Sequence, residues 1–144
     1  MKRRAMHRVQ PWLLLAAALW LMGLGGGGQQ EESAIPIPAR NFTVQVTDQQ
    51  QRTVQATRFT WEGKTHFRAA FGNASITLPF EKLTGIQIRR DTTGLGPNQI
   101  GATATLIGGE TIEIGLDTTS KCYGETAFGT YEIFVKDLAS VQFQ

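Results

Sequence analysis

The chain has 144 residues, 41% of them hydrophobic, with 14 Lys and Arg against 12 Asp and Glu and a single cysteine. One cysteine excludes an intramolecular disulfide, so the fold must rest on its hydrophobic core. The net charge of +2 includes four basic residues near the N-terminus, and the rest of the chain is slightly acidic.

The N-terminal 28 residues have the organisation of a secretory signal peptide. The basic residues of its head are Lys2, Arg3, Arg4 and Arg8. An apolar block at 12–24 follows, within the length expected of a signal and shorter than the roughly 20 residues of a membrane-spanning helix. We therefore predict cleavage after Gly28 or, alternatively, Ala34, leaving no stable membrane span. The mature protein is expected to be periplasmic or secreted, in a bacterial envelope.

The pattern of apolar residues in the rest of the chain indicates a duplicated β-unit. Apolar positions in residues 71–88 recur in the same order in residues 122–143. They are Ile76, Leu78, Phe80, Leu83, Ile86 and Ile88 in the first copy and Tyr131, Ile133, Val135, Leu138, Val141 and Phe143 in the second. The predicted segments are a signal peptide at 1–28, an extended linker at 29–40, β-repeat 1 at 41–90, a Gly- and Pro-containing connection at 91–101 and β-repeat 2 at 102–144.

Period-2 alternation predicts short strands throughout the mature chain. Val44 and Val46 share one face of the first strand, and the next strand changes face or bulges near Thr57. Pro79 cannot donate to a ladder, which confines it to an edge or a bulge. Gly108 and Gly109 predict a two-residue hairpin turn. Helical spacing is limited to single turns at EKL and KDL.

These patterns predict an all-β fold. Two tandem copies of a four- to five-stranded unit would form a β-sandwich or paired small barrels, preceded by the signal helix, with one shared core or two. Four or five short strands with a tight turn before the last resemble SH3-like or Sm-like small barrels. The alternating strand followed by a turn and a last short strand also resembles uncharacterised β-repeat proteins that bacteria export. Neither resemblance implies a catalytic or nucleotide-binding residue here.

The residues that usually perform catalysis are sparse. His66 and Cys122 are the only mature histidine and cysteine, too few for a closed zinc site. A cysteine nucleophile needs an activating base, and only His66, in the other repeat, is available. Glu110 and Glu113, three apart on a strand, face opposite sides. We therefore predict a protein that is not an enzyme and needs no metal or cofactor.

A basic strand in repeat 1 is the candidate ligand site. Its cations are Arg58, Lys64, His66 and Arg68, and the aromatic residues between them are Phe59, Trp61 and Phe67. Cations and aromatics in this order can follow a polyanion, whereas any strand with one face in the core and one in water shows the same alternation. Binding of a polyanionic glycan or nucleic acid is therefore the alternative function.

Charge is divided between the repeats, with a net +4 in residues 41–90 and a net −5 in residues 91–144. This division has two interpretations. Either both halves face water on one molecule, or the basic half of one chain, including Arg89 and Arg90, contacts the acidic half of another. Cys122 is either a buried thiol or the partner in an intermolecular disulfide. The first functional prediction is an envelope structural or protein-interaction component that contacts another envelope protein or itself.

Overall fold

The computed structural model describes residues 36–144. The predicted signal peptide at 1–28 and most of the linker lie outside the described residues. Within the described part, the helices are two 3-10 turns, Phe80–Lys82 and Val135–Asp137. No helix in this part is long and apolar enough to cross a membrane.

Ten antiparallel strands form one curled sheet, so the all-β prediction is confirmed. The strands are β1 (Val44–Asp48), β2 (Thr53–Trp61), β3 (His66–Phe71), β4 (Ala74–Pro79), β5 (Leu83–Arg89), β6 (Gln99–Leu106), β7 (Thr111–Asp117), β8 (Lys121–Thr126), β9 (Gly129–Phe134) and β10 (Leu138–Phe143). Their order across the sheet is β4-β3-β7-β6-β5-β10-β1-β2-β8-β9. Strands β4 and β9 are therefore the two outermost strands.

Each outer hairpin lies beside a strand from the other half of the chain. The β3–β4 hairpin adjoins β7, where Ala70 pairs with Gly115. The β8–β9 hairpin adjoins β2, where Trp61 pairs with Cys122. Strands β5 and β10 pair at the centre of the sheet. Each hairpin therefore crosses to the opposite half of the sheet, and the two halves of the chain interlock.

A single hydrophobic core joins both halves. Buried residues from Val44 on β1 to Val141 on β10 form one cluster. Of the two alternatives, one shared core or two, the structure shows one. Phe59 and Phe80 are among its largest members, and their ring centroids are 5.6 Å apart. Val44 and Val46 are both fully buried, as the alternation of the first strand predicts.

Several local predictions are confirmed. The register between β2 and β8 shifts between Thr57 and Thr60, and Arg58 within the shift has φ +49°, so the predicted bulge is present. The single turns predicted at EKL and KDL correspond to the two 3-10 turns, each of which begins one residue earlier than predicted. Pro79 ends the outermost strand β4, paired only with β3. These features follow from steric rules that act within a few residues.

Three details differ from the predictions. Strand β6 begins at Gln99, so residues 99–101 belong to a strand and not to the connection. Gly108 and Gly109 both have positive φ, but the loop is longer by Ile107, because the N–H of Leu106 donates to the C=O of Glu110. Phe71, which period-2 alternation places on the same face as the buried Phe67 and Ala69, is 47% exposed because it lies at the end of the hairpin.

Candidate functional site

A cavity lies beside the turn that joins β2 to β3. Trp61 and Lys64 close this turn with two backbone hydrogen bonds, of 2.8 Å and 3.0 Å. Gly63 occupies the left-handed region at φ +78°, which glycine adopts freely. The turn directs the chain from β2 into β3 and carries the basic side chains of β3 to one rim of the cavity.

The cavity has a volume of about 310 Å³. Its lining residues are Trp61, Glu62, Lys64, His66, Phe67, Arg68, Thr77, Asp117 and Ser120. Five residues of the predicted ligand site lie around one concave surface: Trp61, Lys64, His66, Phe67 and Arg68. Asp117 and Ser120 come from outside the predicted basic strand, and no sequence pattern indicated them.

Both acidic side chains of the cavity are held by hydrogen bonds. Glu62 Oε1 accepts from the backbone N–H of Lys121 at 2.5 Å. Asp117 Oδ1 accepts from the side chain and backbone of Thr119, at 2.6 Å and 2.8 Å, and these bonds lower the pKa of Asp117. Arg68 Nη2 donates to Ser75 Oγ at 3.2 Å. Among residues 36–144, the three ion pairs include no cation of this cavity.

Trp61 is a core residue and not an exposed stacking platform. It is 4% exposed, and its ring stacks on Phe67 with centroids 4.5 Å apart and an angle of 25° between the planes. A base or sugar cannot stack on a ring face that another ring covers. With one ring face covered and 4% of its surface exposed, Trp61 offers little surface on which a base or sugar could stack.

The remaining basic candidates lie outside the cavity, and two of them form ion pairs. Arg58 Nη1 lies 3.4 Å from Glu125 Oε1, and Arg89 Nη2 lies 2.5 Å from Glu113 Oε2. Both pairs join the basic half to the acidic half within one molecule. Arg90 is exposed and follows the end of β5. Arg58, Arg89 and Arg90 therefore do not extend the cavity.

The outer edge of β9 has unpaired backbone groups. Val135 N–H donates to the C=O of Ser120, at 2.9 Å. The direction in which the backbone hydrogen bonds point alternates from one residue of a strand to the next. The N–H and C=O groups of Tyr131 and Ile133 therefore also face β8. The N–H and C=O groups of Thr130, Glu132 and Phe134 therefore point away from β8, and within residues 36–144 no strand lies on that side of β9.

The outer edge of β4 differs from that of β9 because proline removes one of its backbone N–H groups. Phe80 N–H donates to the C=O of Thr65 at 2.9 Å, so Ser75, Thr77 and Pro79 point outward by the same argument. Pro79 has no N–H, and proline on an outer strand discourages further pairing. Its counterpart on β9, also directly before a 3-10 turn, is Phe134. Strand β9 is thus the less protected edge.

A family model with the description "Uncharacterised protein" matches residues 38–144, nearly all of the described part. The chain belongs to that family. No match is found among curated proteins.

Cys122 has no access to solvent. The residue is fully buried, and burial, with a smaller contribution from Glu62, raises the pKa of its thiol well above the ordinary value. A disulfide to a second molecule requires an accessible thiolate, so Cys122 cannot form one while β8 stays in place. The prediction of a buried thiol is therefore confirmed.

Metal-binding geometry is absent from the part of the chain that the structure describes. There, no three side chains of His, Cys, Asp or Glu are grouped so that they could hold a metal ion. His66 lies at the cavity, whereas Cys122 is buried between β2 and β9.

Proposed function

We propose that this protein is an exported, non-enzymatic interaction module of a bacterial envelope, which acts by adding a strand to the outer edge of β9. The N-terminal basic head and apolar block support export. The family match begins at residue 38, after the proposed signal. In strand addition, main-chain hydrogen bonds provide affinity and alternate side chains provide specificity.

We also propose that the module consists of two copies of one β-unit. Each strand of β1–β5 has a counterpart in β6–β10, in the same sequence order. When every strand is replaced by its counterpart, the order of strands across the sheet is unchanged if it is read from the opposite edge. A 3-10 turn precedes the last strand of each half. In this arrangement the hairpin of each copy pairs with a strand of the other copy. This supports a duplication in which the two units share one core.

The observation that carries the interaction function is the free backbone of Thr130, Glu132 and Phe134. An outermost strand with unpaired N–H and C=O groups is a template for another strand. The flanking residue Phe128 is 89% exposed, and Phe134 is 39% exposed. Large exposed aromatics beside a free edge supply the apolar contact that stabilises an added strand.

Amide hydrogen exchange followed by NMR tests this proposal. In dilute protein, the amides of Thr130, Glu132 and Phe134 should exchange quickly, while those of Tyr131 and Ile133, bonded to β8, exchange slowly. Concentrating the protein, or adding a soluble envelope fraction, should slow the first group alone. Slow exchange of the first group in dilute protein would show that the edge is already covered and would exclude the proposal.

The cavity supports a second candidate, binding of an anionic ligand by Lys64, His66 and Arg68. Three basic side chains at one concave surface, beside acids already held by other groups, favour an anion. Heparin is a suitable probe. Replacing the three residues with Ala should reduce retention on heparin, whereas Arg58→Ala with Arg90→Ala, which removes two cations outside the cavity, should not. Equal loss in both variants would indicate unspecific charge attraction.

A further inference from the structure

We infer that the strand added to β9 is β9 of a second copy of this chain, paired antiparallel about a two-fold axis at Tyr131. This inference rests on the proposed function of the edge and adds the identity of the partner and the register. In an antiparallel pair, outward N–H and C=O groups on alternate residues are self-complementary. A two-fold contact of this kind closes on itself as a dimer.

Charge and aromatic contacts select the register. With Tyr131 on the axis, Thr130 lies opposite Glu132 of the second copy, and the two pairs of this kind form about four hydrogen bonds. In the adjacent register, Glu132 would face Glu132 of the second copy, and like charges directly opposite are unfavourable. The inferred register separates them.

The same register brings together the exposed aromatics. Phe128 at one end of the edge would lie beside Phe134 of the second copy at the other end, and the two-fold axis repeats this contact. Phe128 is 89% exposed and Phe134 39% exposed. A foreign strand would need an aromatic at each matching position, whereas a second copy supplies both.

The side chains on this edge include one charge. Charged side chains, especially lysine, and proline commonly protect outer strands, and the solvent-facing side chains of β9 are Thr130, Glu132 and Phe134. Glu132 Oε1 lies 3.4 Å from Lys121 Nζ within the same molecule, which offsets its charge. Strand β4, by contrast, ends in Pro79.

Replacement of Phe134 by proline tests the inference with little cost to the fold. Phe134 has φ −74° and Pro79 has φ −73°, so the backbone already suits proline. The Phe134→Pro variant loses the outward N–H and the ring, while the bonds to β8 remain. The matched control is Thr77→Pro, which removes an outward N–H from β4.

Sedimentation equilibrium of the purified protein over a range of concentrations measures the outcome. We expect a reversible dimer that Phe134→Pro weakens by about tenfold or more, that Thr77→Pro leaves unchanged, and that added salt alters little. Urea unfolding checks that both variants fold. A wild-type monomer at every concentration, or a dimer that survives Phe134→Pro, would overturn the inference.

The failure of this inference can be told apart from failure of the proposed function. If the protein is monomeric and the outward amides of β9 nevertheless become protected when an envelope fraction is added, the edge binds a foreign strand. The second copy is then excluded and the proposed function stands. If neither association nor protection occurs, both are excluded.

Engineered cysteines test the register. Tyr131 would lie opposite Tyr131 of the second copy as a non-hydrogen-bonded pair, with Cα atoms about 4.5 Å apart, within disulfide range. Tyr131→Cys should therefore form a covalent dimer on mild oxidation, and Thr130→Cys should not. Cys122 is buried and does not compete. Cross-linking through Glu132→Cys in place of Tyr131→Cys would exclude the inferred register.

Discussion

Ile86 on β5 and Val141 on β10 lie directly opposite each other at the centre of the ten-stranded sheet. The sequence comparison matched these same two positions as equivalents in the two copies. Pairing between equivalent positions is what a two-fold relationship between two units produces. This pair therefore supports the proposed duplication more directly than the similarity of their side chains does.

Truncation of Ile86 should destabilise the whole fold. Ile86 is 2% exposed and Val141 1%, and the two halves meet here. We expect Ile86→Ala to lower the free energy of unfolding by about 2–5 kcal/mol through lost burial and a residual cavity. Gln87→Ala, at the exposed neighbour, should change it by less than about 0.5 kcal/mol. Urea unfolding measures both, and equal effects would argue against a core at this position.

The ion pair between Arg89 and Glu113 should contribute little to stability. Their side chains are 43% and 58% exposed, and exposed pairs typically contribute about 0–1 kcal/mol. Glu113 also accepts a hydrogen bond from Thr103 Oγ1, at 3.0 Å. A double-mutant cycle of Arg89→Ala and Glu113→Ala, followed by urea unfolding, should give a coupling energy below about 1 kcal/mol. A larger value would show that the two halves depend on this pair.

Charge reversal at Arg89 and Arg90 separates two routes of self-association. If the basic half of one chain meets the acidic half of another, Arg89→Glu with Arg90→Glu should abolish assembly. If β9 pairs with β9, the dimer should persist, because Arg89 is engaged with Glu113 and both residues lie away from the β9 edge. Light scattering of the double variant at low and high salt decides between them.

The hydroxyl of Thr60 should lower the free energy of unfolding. Thr60 is fully buried, and its Oγ1 has no hydrogen-bond partner within residues 36–144. Valine has nearly the same shape without the hydroxyl, so Thr60→Val should raise the free energy of unfolding by about 1–2 kcal/mol. Thr57→Val is the control, because Thr57 Oγ1 donates to the C=O of Glu125 at 3.5 Å. A stabilising effect at both positions would reflect strand propensity alone.

Local features of the fold were predictable from sequence because they depend on near neighbours. Alternation revealed the buried face of β1 at Val44 and Val46, and the missing N–H of Pro79 limited this residue to an edge strand or a bulge. The bulge near Thr57 followed from a change of apolar face. The strand order did not follow, because the pairing of Ala70 with Gly115 joins distant segments without a local signal.

The candidate sites were predictable only in part. Lys64, His66 and Arg68 alternate in the sequence, so it could be predicted that their side chains point the same way. Asp117 reaches the same cavity through the crossing of β7 beside β3, which alternation cannot reveal. The exposed edge of β9 depends on which strand ends the sheet, and that is a property of the topology.

The burial of Cys122 should make the stability of the fold depend on pH, because the thiol holds its proton more tightly in the folded chain than in the unfolded chain. The thiol has an ordinary pKa of 9.0 that burial raises well above this value in the folded protein. Above pH 9.0 the unfolded chain loses the proton while the folded chain keeps it, so stability is complete below this pH and falls as the pH rises. The loss approaches about 1.4 kcal/mol per pH unit from this group. Burial also raises the pKa of Tyr131, which acts in the same direction.

The alkaline loss of stability should therefore be smaller in Cys122→Ala than in the wild type. Urea unfolding at neutral pH and at about pH 10 gives the difference, and Tyr131→Phe measures the tyrosine contribution separately. In the native protein at neutral pH, a thiol reagent should react with Cys122 only at the rate at which β8 opens, and quickly once urea unfolds the chain. Rapid reaction of the native protein would show that the thiol is accessible and would restore the intermolecular disulfide as an explanation for any covalent dimer.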